Sequence, residues 1–239
     1  MSGLDYTFNA SITPAAAVRL MVMNQIAVDG HWQARQAENL LIEYSNTSIA
    51  EFLRIIDFIE PKAQVDSATL PQFGSLEMLI RVPEIMISTG LDGLTHTQLG
   101  FYLKGDVNAK QAANAKYGET HGKGACQLGF AVCQNCRIYF GALTGAFHDI
   151  SNDEEKLKLV KLLCFRIPIV QTLLNRACDG MVNGYEPMAH LETSTQIRRG
   201  ICVRMIFREL LTLQDVELSR RINNIYWSIE KEDSCNAEI

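Results

Sequence analysis

Apolar residues recur three and four apart along most of this chain, but in short runs, each cut by Gly, Pro or Asp. That spacing is helical, so the chain reads as a succession of short helices and not as a sheet protein. "TPAAAVRLMVMNQIA" opens with Thr13 as N-cap and Pro14 at the first helical position. "ARQAENLLIEY" and "SIAEFLRIIDFI" follow, and "PQFGSLEMLIRVPEIMISTGL" reads as two short helices broken at Pro83. "THTQLGFYLKG", "VNAKQAANAKYG" and "ETHGKGACQLGF" are three further segments, separated at Gly-Asp and Tyr-Gly. "NDEEKLKLVKLLCF" has acids in its first turn and lysines later, the sense the helix dipole favours. "PIVQTLLNRACDG" begins at Pro168 and stops at Gly180.

Strand candidates are few. "FAVCQNCRIYF" is β-branched and aromatic around a turn at Gln134-Asn135. "QDVELSRRINNIYWSIEKED" gives two alternating runs around Asn223-Asn224, a hairpin signal. "KAQVDSATL" is a weaker third.

The composition is globular: of 239 residues 47% are apolar and 21% charged. No run approaches the roughly 18 apolar residues of a membrane span. The N-terminus has no basic segment ahead of its apolar stretch, unlike a secretory signal. Seven cysteines, an odd number scattered among apolar neighbours, read as reduced thiols, and a cytoplasmic location fits them. The net charge of −5 opposes nucleic-acid binding unless Lys and Arg cluster locally.

An internal repeat is visible. "LIRVPEIMI" and "CFRIPIVQTL" share Arg, a β-branched residue and Pro. Each precedes a polar helix start, "YGETHGK" and "HLETSTQIRR", and each of those precedes a hairpin candidate. "GHWQARQAENLL" is the polar helix of an earlier copy. The expected fold is therefore mainly α with short β-hairpins, an α+β chain of tandem winged-helix units. Their boundaries fall at residues 1–70, 71–150 and 151–239. In such a unit the last helix faces the DNA major groove and the hairpin lies beside the backbone.

Residues at the polar tips are the binding candidates. In the last copy Thr193 and Gln196 read as a capping box. Ile197, Ile201 and Met205 are the core stripe, leaving Ser194, Thr195, Arg198 and Arg199 at the exposed end. Thr120, His121 and Lys123 are the middle copy's counterparts, and Arg35 and Gln36 those of the first. Gly122 and Gly124 there suggest that another backbone, such as DNA, comes close.

The segments "QLGFYL", "NAKQAANAKYGETHGKGACQLGFA", "FRIPIVQTLL" and "STQIRRGICVRM" resemble the tandem winged-helix proteins of prokaryotic restriction–modification systems, over roughly residues 70–229. There such regions occur as DNA-recognition halves or as companions of nucleases and ATPases. The resemblance implies sequence-specific binding of double-stranded DNA, with a nuclease or ATPase partner and no chemistry of its own. Two alternatives stand beside it: a winged-helix module that docks proteins or regulates transcription, and a small Mg-dependent nuclease around Asp57, Glu60 and Lys62.

No phosphate-loop, nucleophile-elbow, His-Glu-x-x-His or dinucleotide pattern is present, so no catalytic residue and no cofactor are assigned. Cys133 and Cys136 form a lone Cys-x-x-Cys on a hairpin. Zinc needs four ligands, and only Cys126 and His121 lie near in sequence, so the pair reads as reduced thiols.

Overall fold

The structure, a computed structural model, describes residues 34–91, 93–105 and 110–229, with the side chains of residues 34–36 left out. The proposed first helix at Thr13 and Pro14 lies outside the described residues. The architecture is mainly helical with a small antiparallel sheet, an α+β arrangement. Among the described residues no helix is long and apolar enough to cross a membrane.

Helix α1 (Ala34–Asn46) leads into α2 (Ile49–Asp57), where the Ser48 hydroxyl accepts from the Glu51 amide. Phe52, Leu53, Ile55 and Ile56 bury one face of α2. A long helix α3 (Leu76–Thr89) follows. Pro83 sits inside it, buried between Val82 and Met86, and does not divide it. Proline removes one hydrogen bond from a helix. Leu76, Leu79, Ile80, Val82 and Met86, all buried, keep the flanking turns in one line.

Strand β1 (Leu94–Thr95) runs directly into α4 (His96–Lys104), whose N-terminus carries a complete capping box from Thr95 and Gln98. Helix α5 spans Gln111–Gln127, so "QAANAKYG" and "ETHGKGACQ", read as parts of two segments, are one helix. The Tyr117-Gly118 step, read from sequence as a turn, lies in mid-helix. Strands β2 (Ala131–Gln134) and β3 (Arg137–Phe140) form the expected hairpin. Its turn is at Asn135-Cys136, one residue later than predicted, with both residues in the left-handed region. Two such residues make the primed turn that matches strand twist. β1 pairs antiparallel with β3, Leu94 opposite Ile138, giving the order β1-β3-β2.

The short α6 (Thr144–His148) and then α7 (Asp153–Leu163) come next, the latter capped by Asn152. Pro168 opens α8 (Pro168–Arg176) at its first turn, as its position predicts. β4 (Val182–Asn183) precedes the long α9 (Thr193–Leu211), α10 (Val216–Asn223) and β5 (Ile225–Tyr226).

Two predicted hairpins do not form. The stretch before Asn223-Asn224 is α10, because Asp215 caps it and Leu218, Arg221 and Ile222 recur at helical spacing on a buried face. β5 then pairs parallel with β4, across the fold from any hairpin partner. "KAQVDSATL" forms a single 3-10 turn at Ser67–Thr69, with Val65 donating to the Pro187 carbonyl. The buried apolar residues, from Ala37 to Ile225, make one contiguous core that joins all three segments of the chain. Phe52 stacks on Phe165 at 5.1 Å, and Arg221 makes a two-pronged ion pair with Asp57. That carboxylate, a member of the nuclease triplet, is engaged in tying α10 to α2. Glu60 lies beyond the end of α2, and the Lys62 amide donates to Thr172.

Among the described glycines, the closest approach of another backbone is at the crossing of α4 and α5. A Cβ on Gly118 would lie 1.9 Å from the His96 carbonyl oxygen, and one on Gly100 1.8 Å from that of Asn114. Gly118→Ala should therefore destabilise the protein by about 3 kcal/mol or more, since a backbone must move. Gly145→Ala, with nothing within 4 Å of the added methyl on α6, should gain up to about 1 kcal/mol. Urea unfolding of the two variants beside the parent checks both.

Candidate nucleic-acid interface

Two helices carry the residues singled out from sequence. On α5 the inward row is made of small residues: Gly118, Gly122 and Ala125 are all buried. Gly122 meets the Ile138 side chain of β3, and Gly124 meets Phe73 and Leu79. The close approach that these glycines suggested is made by the protein's own side chains, and by no other backbone. The outward row runs through Gln111, Ala112, Ala113, Lys116 and, more covered, Thr120 and Lys123.

The middle candidates divide accordingly. They stand in the middle of α5 and not at a helix start. Thr120 Oγ1 donates to the Lys116 carbonyl at 2.6 Å, satisfying itself within the helix. His121 is buried, its ring 4.2 Å from that of Tyr117, and is core, not a surface contact. Lys123 reaches Glu119 at 2.6 Å, and Lys116 reaches the same carboxylate at 3.0 Å. Hydrogen bonds from Lys123 and then Lys116 hold the Glu119 carboxyl down at about 2. Two lysines thus share one carboxylate, and the patch keeps a net charge of one.

On α9 the polar tip is real, but its details differ from the sequence reading. The N-cap is Glu192, without a side-chain cap, so Thr193 and Gln196 form no capping box. Gln196 instead donates from Nε2 to the Leu191 carbonyl at 2.7 Å. Thr193 and Ser194 are exposed, and Thr195 is half-buried. Arg198 is exposed, with Nη2 3.5 Å from Thr195 Oγ1. Arg199 is half-buried, and its Nε has no hydrogen-bond partner. Burial, then the charge of Arg198, lowers its pKa; Glu119 acts in the opposite sense. The tip of α9 therefore lies within electrostatic reach of α5.

The predicted core stripe of α9 is also turned. Ile197 and Ile201 are 43% and 56% exposed, whereas Gly200, Val203, Phe207 and Leu210 face inward. Gly200 sets this phase, because its bare Cα accepts the Tyr185 ring, which a Cβ would meet at 2.5 Å. Arg204 and Arg208 are exposed on the outer face, Arg204 over the Trp227 ring at 5.5 Å. Arg35 and Gln36 fall in the first turn of α1, and their side chains lie outside the described residues.

Sequence reasoning missed Lys110, the N-cap of α5, Lys116 on that helix and Arg137 on β3, all exposed. Splitting α5 at Tyr117-Gly118 hid the helical spacing that places Ala112, Lys116 and Lys123 on one side. Among the described residues no group of three or more His, Cys, Asp or Glu is placed to hold a metal ion. Cys133 and Cys136 are both exposed, and Cys133 faces His96 at 3.6 Å. No protein-family model, curated protein or solved structure matches the chain.

His121 yields a pH prediction. The Tyr117 carbonyl can only accept, so the ring nitrogen Nδ1, 2.9 Å away, carries the proton of a neutral imidazole. Burial lowers the pKa of this group, against the pull of that hydrogen bond. An unfolded histidine titrates at about 6.5. The stability tied to neutral His121 is thus complete above that value and is lost as pH falls toward the lower folded value. The urea midpoint should drop between about pH 7.5 and 5.5, and less steeply in His121→Gln; equal slopes would contradict this assignment.

Proposed function

We propose that the protein binds double-stranded DNA sequence-specifically through its middle segment, as the recognition module or subunit of a restriction–modification or related defence system. The observation that carries this reading is the order α3, β1, α4, α5, β2, β3, with β1 paired to β3 beside β2. We read that order as a winged helix, with α4 and α5 as its helix-turn-helix and the β2–β3 hairpin as its wing. In this reading the N-cap Lys110 and the outward row of α5, with Gln111, Ala112 and Lys116, enter the major groove. Arg137, on the hairpin, meets the backbone.

The tip of α9, with Thr193, Ser194, Arg198 and its neighbour Arg199, supplies a second group of contacts. The defence-system setting, and a nuclease or ATPase as the partner that acts on the bound DNA, rest on the sequence resemblance. One observation favours a different class of partner. Ile197 and Ile201 stand exposed between Arg198 and Arg204, which suits a protein surface better than phosphate. On that reading the same fold docks a protein.

Mobility shifts with random-sequence and selected duplexes, repeated across salt, separate the two. DNA binding through these lysines should weaken steeply with salt, by a slope of about 0.9 per phosphate contact. Glu119→Gln releases both Lys116 and Lys123 and should tighten binding and steepen that slope. Arg198→Ala should cost about 1–3 kcal/mol on the selected duplex if it holds a base edge. No retention of any duplex at low salt would overturn the DNA reading. A Glu119→Gln variant that leaves DNA retention unchanged would remove α5 from the interface.

A further inference from the structure

The functional reading leaves unused a group of side chains where the end of α5 meets the hairpin. Cys126 lies in the last turn of α5. Gly129, in the left-handed region, turns the chain back, and the Phe130 amide closes the turn onto the Ala125 carbonyl at 2.9 Å. This reversal packs β2 against the helix end, where Cys133 and Cys126 lie close enough for each thiol to shift the ionisation of the other. His96, the first residue of α4, completes the group, with Nε2 3.6 Å from Cys133 Sγ. Cys133 is exposed and Cys126 half-buried. Cys136, equally exposed at the hairpin turn, is the natural comparison within the same molecule.

We propose that Cys133 and Cys126 form a peroxide-reactive thiol pair, in which Cys133 is the attacking sulfur and Cys126 the resolving one. Reactive thiols of this kind need a stabilised thiolate, access to solvent and a second thiol within reach. All three are present. The neighbouring Cys126 thiol, then His96 and the charge of Lys123, pull the Cys133 thiol down, while the neighbouring Cys133 and burial hold Cys126 protonated. Nothing in this depends on whether the protein binds DNA.

The chemistry balances with a hydroperoxide as the oxidant. The Cys133 thiolate attacks the outer peroxide oxygen; an S–O bond forms, the O–O bond breaks, and the alcohol or water leaves after taking a proton from solvent. Cys133 is then a sulfenic acid. The Cys126 sulfur attacks it, an S–S bond forms, the S–O bond breaks, and hydroxide leaves as water with the Cys126 proton. Two thiols have lost two electrons to one peroxide. The product ties the hairpin strand β2 to the last turn of α5.

The full reduced chain is treated with one to a few equivalents of hydrogen peroxide and followed by intact mass and peptide mapping. The parent should lose about 2 Da with Cys126 and Cys133 in one linked peptide pair, whereas Cys126→Ser should stop at a sulfenic acid on Cys133 that dimedone traps. Cys136→Ser should behave as the parent, and Cys133→Ser should form no linked pair. A readout that needs no variant is the alkylation of the parent by iodoacetamide at neutral pH, where Cys133 should react about 10-fold or more faster than Cys136. Equal alkylation rates, a Cys133–Cys136 link, or no linked pair at all would overturn the proposal.

Discussion

The crossing of α4 over α5 fixes most of what surrounds it. At Gly100 and Gly118 the two helices meet backbone to backbone, closer than any side chain allows. β1, immediately before α4, is thereby set in register with β3, and Gly122 admits Ile138 from that strand into the same small-residue face. Sheet and helix pair are therefore one packed unit. The three glycines of α5, Gly118, Gly122 and Gly124, each cost about 1 kcal/mol against Ala in a helix, and its amphipathicity is weak. Tertiary contact supplies what propensity does not. The cost is visible in Asn114, buried at the crossing with its Oδ1 unpaired.

The rest of the molecule is held to this unit by apolar packing and by a few buried ions. Lys156 of α7 is buried and reaches Glu84 of α3 at 2.9 Å. Arg221 of α10, with only 5% of its side chain exposed, is held by Asp57 and by Glu217 at 2.8 Å. A buried guanidinium is tolerable only while such acceptors persist, so these pairs specify which helices meet more than they add stability. They also explain why an acid–x–x–acid–x–Lys pattern at the end of α2 need carry no chemistry. Its first acid has a structural partner from the far end of the chain.

Elements whose signals were local were legible in the sequence. Thr95 with Gln98, Asn152 and Pro168 mark helix starts by chemistry within a turn, and the Phe130–Phe140 hairpin shows its strand composition. Several of the misreadings have a distant cause. Gly118 looked like a turn because its neighbour His96 is 22 residues away, and Pro83 looked like a break because its buried surroundings were unseen. On α9 nearly every residue from Ile201 to Leu211 can face a core, so the phase of the helix was undetermined until Tyr185 lay on Gly200. In α10 the residues of "VELSRRIN" alternate and also recur at helical spacing. Asp57, far off in sequence, selects the helix by holding Arg221.

Charge placement bears on the candidate interface more than net charge does. The chain is acidic overall, and its exposed cations are spread over several elements; those on α9 stand on a helix whose tip shares an electrostatic neighbourhood with Glu119 of α5. Glu119 is the one acid set between Lys116 and Lys123, and its carboxyl stays ionised far below neutral pH. A phosphate approaching α5 must therefore compete with a carboxylate already held by two ammonium groups. That competition sets a high threshold for nonspecific binding, because bare charge gains little there. It favours a ligand that adds shape or base-edge contacts along the row from Gln111 to Lys116. Under the proposed DNA-binding reading, a partly quenched lysine patch suits selective recognition better than general attraction for nucleic acid.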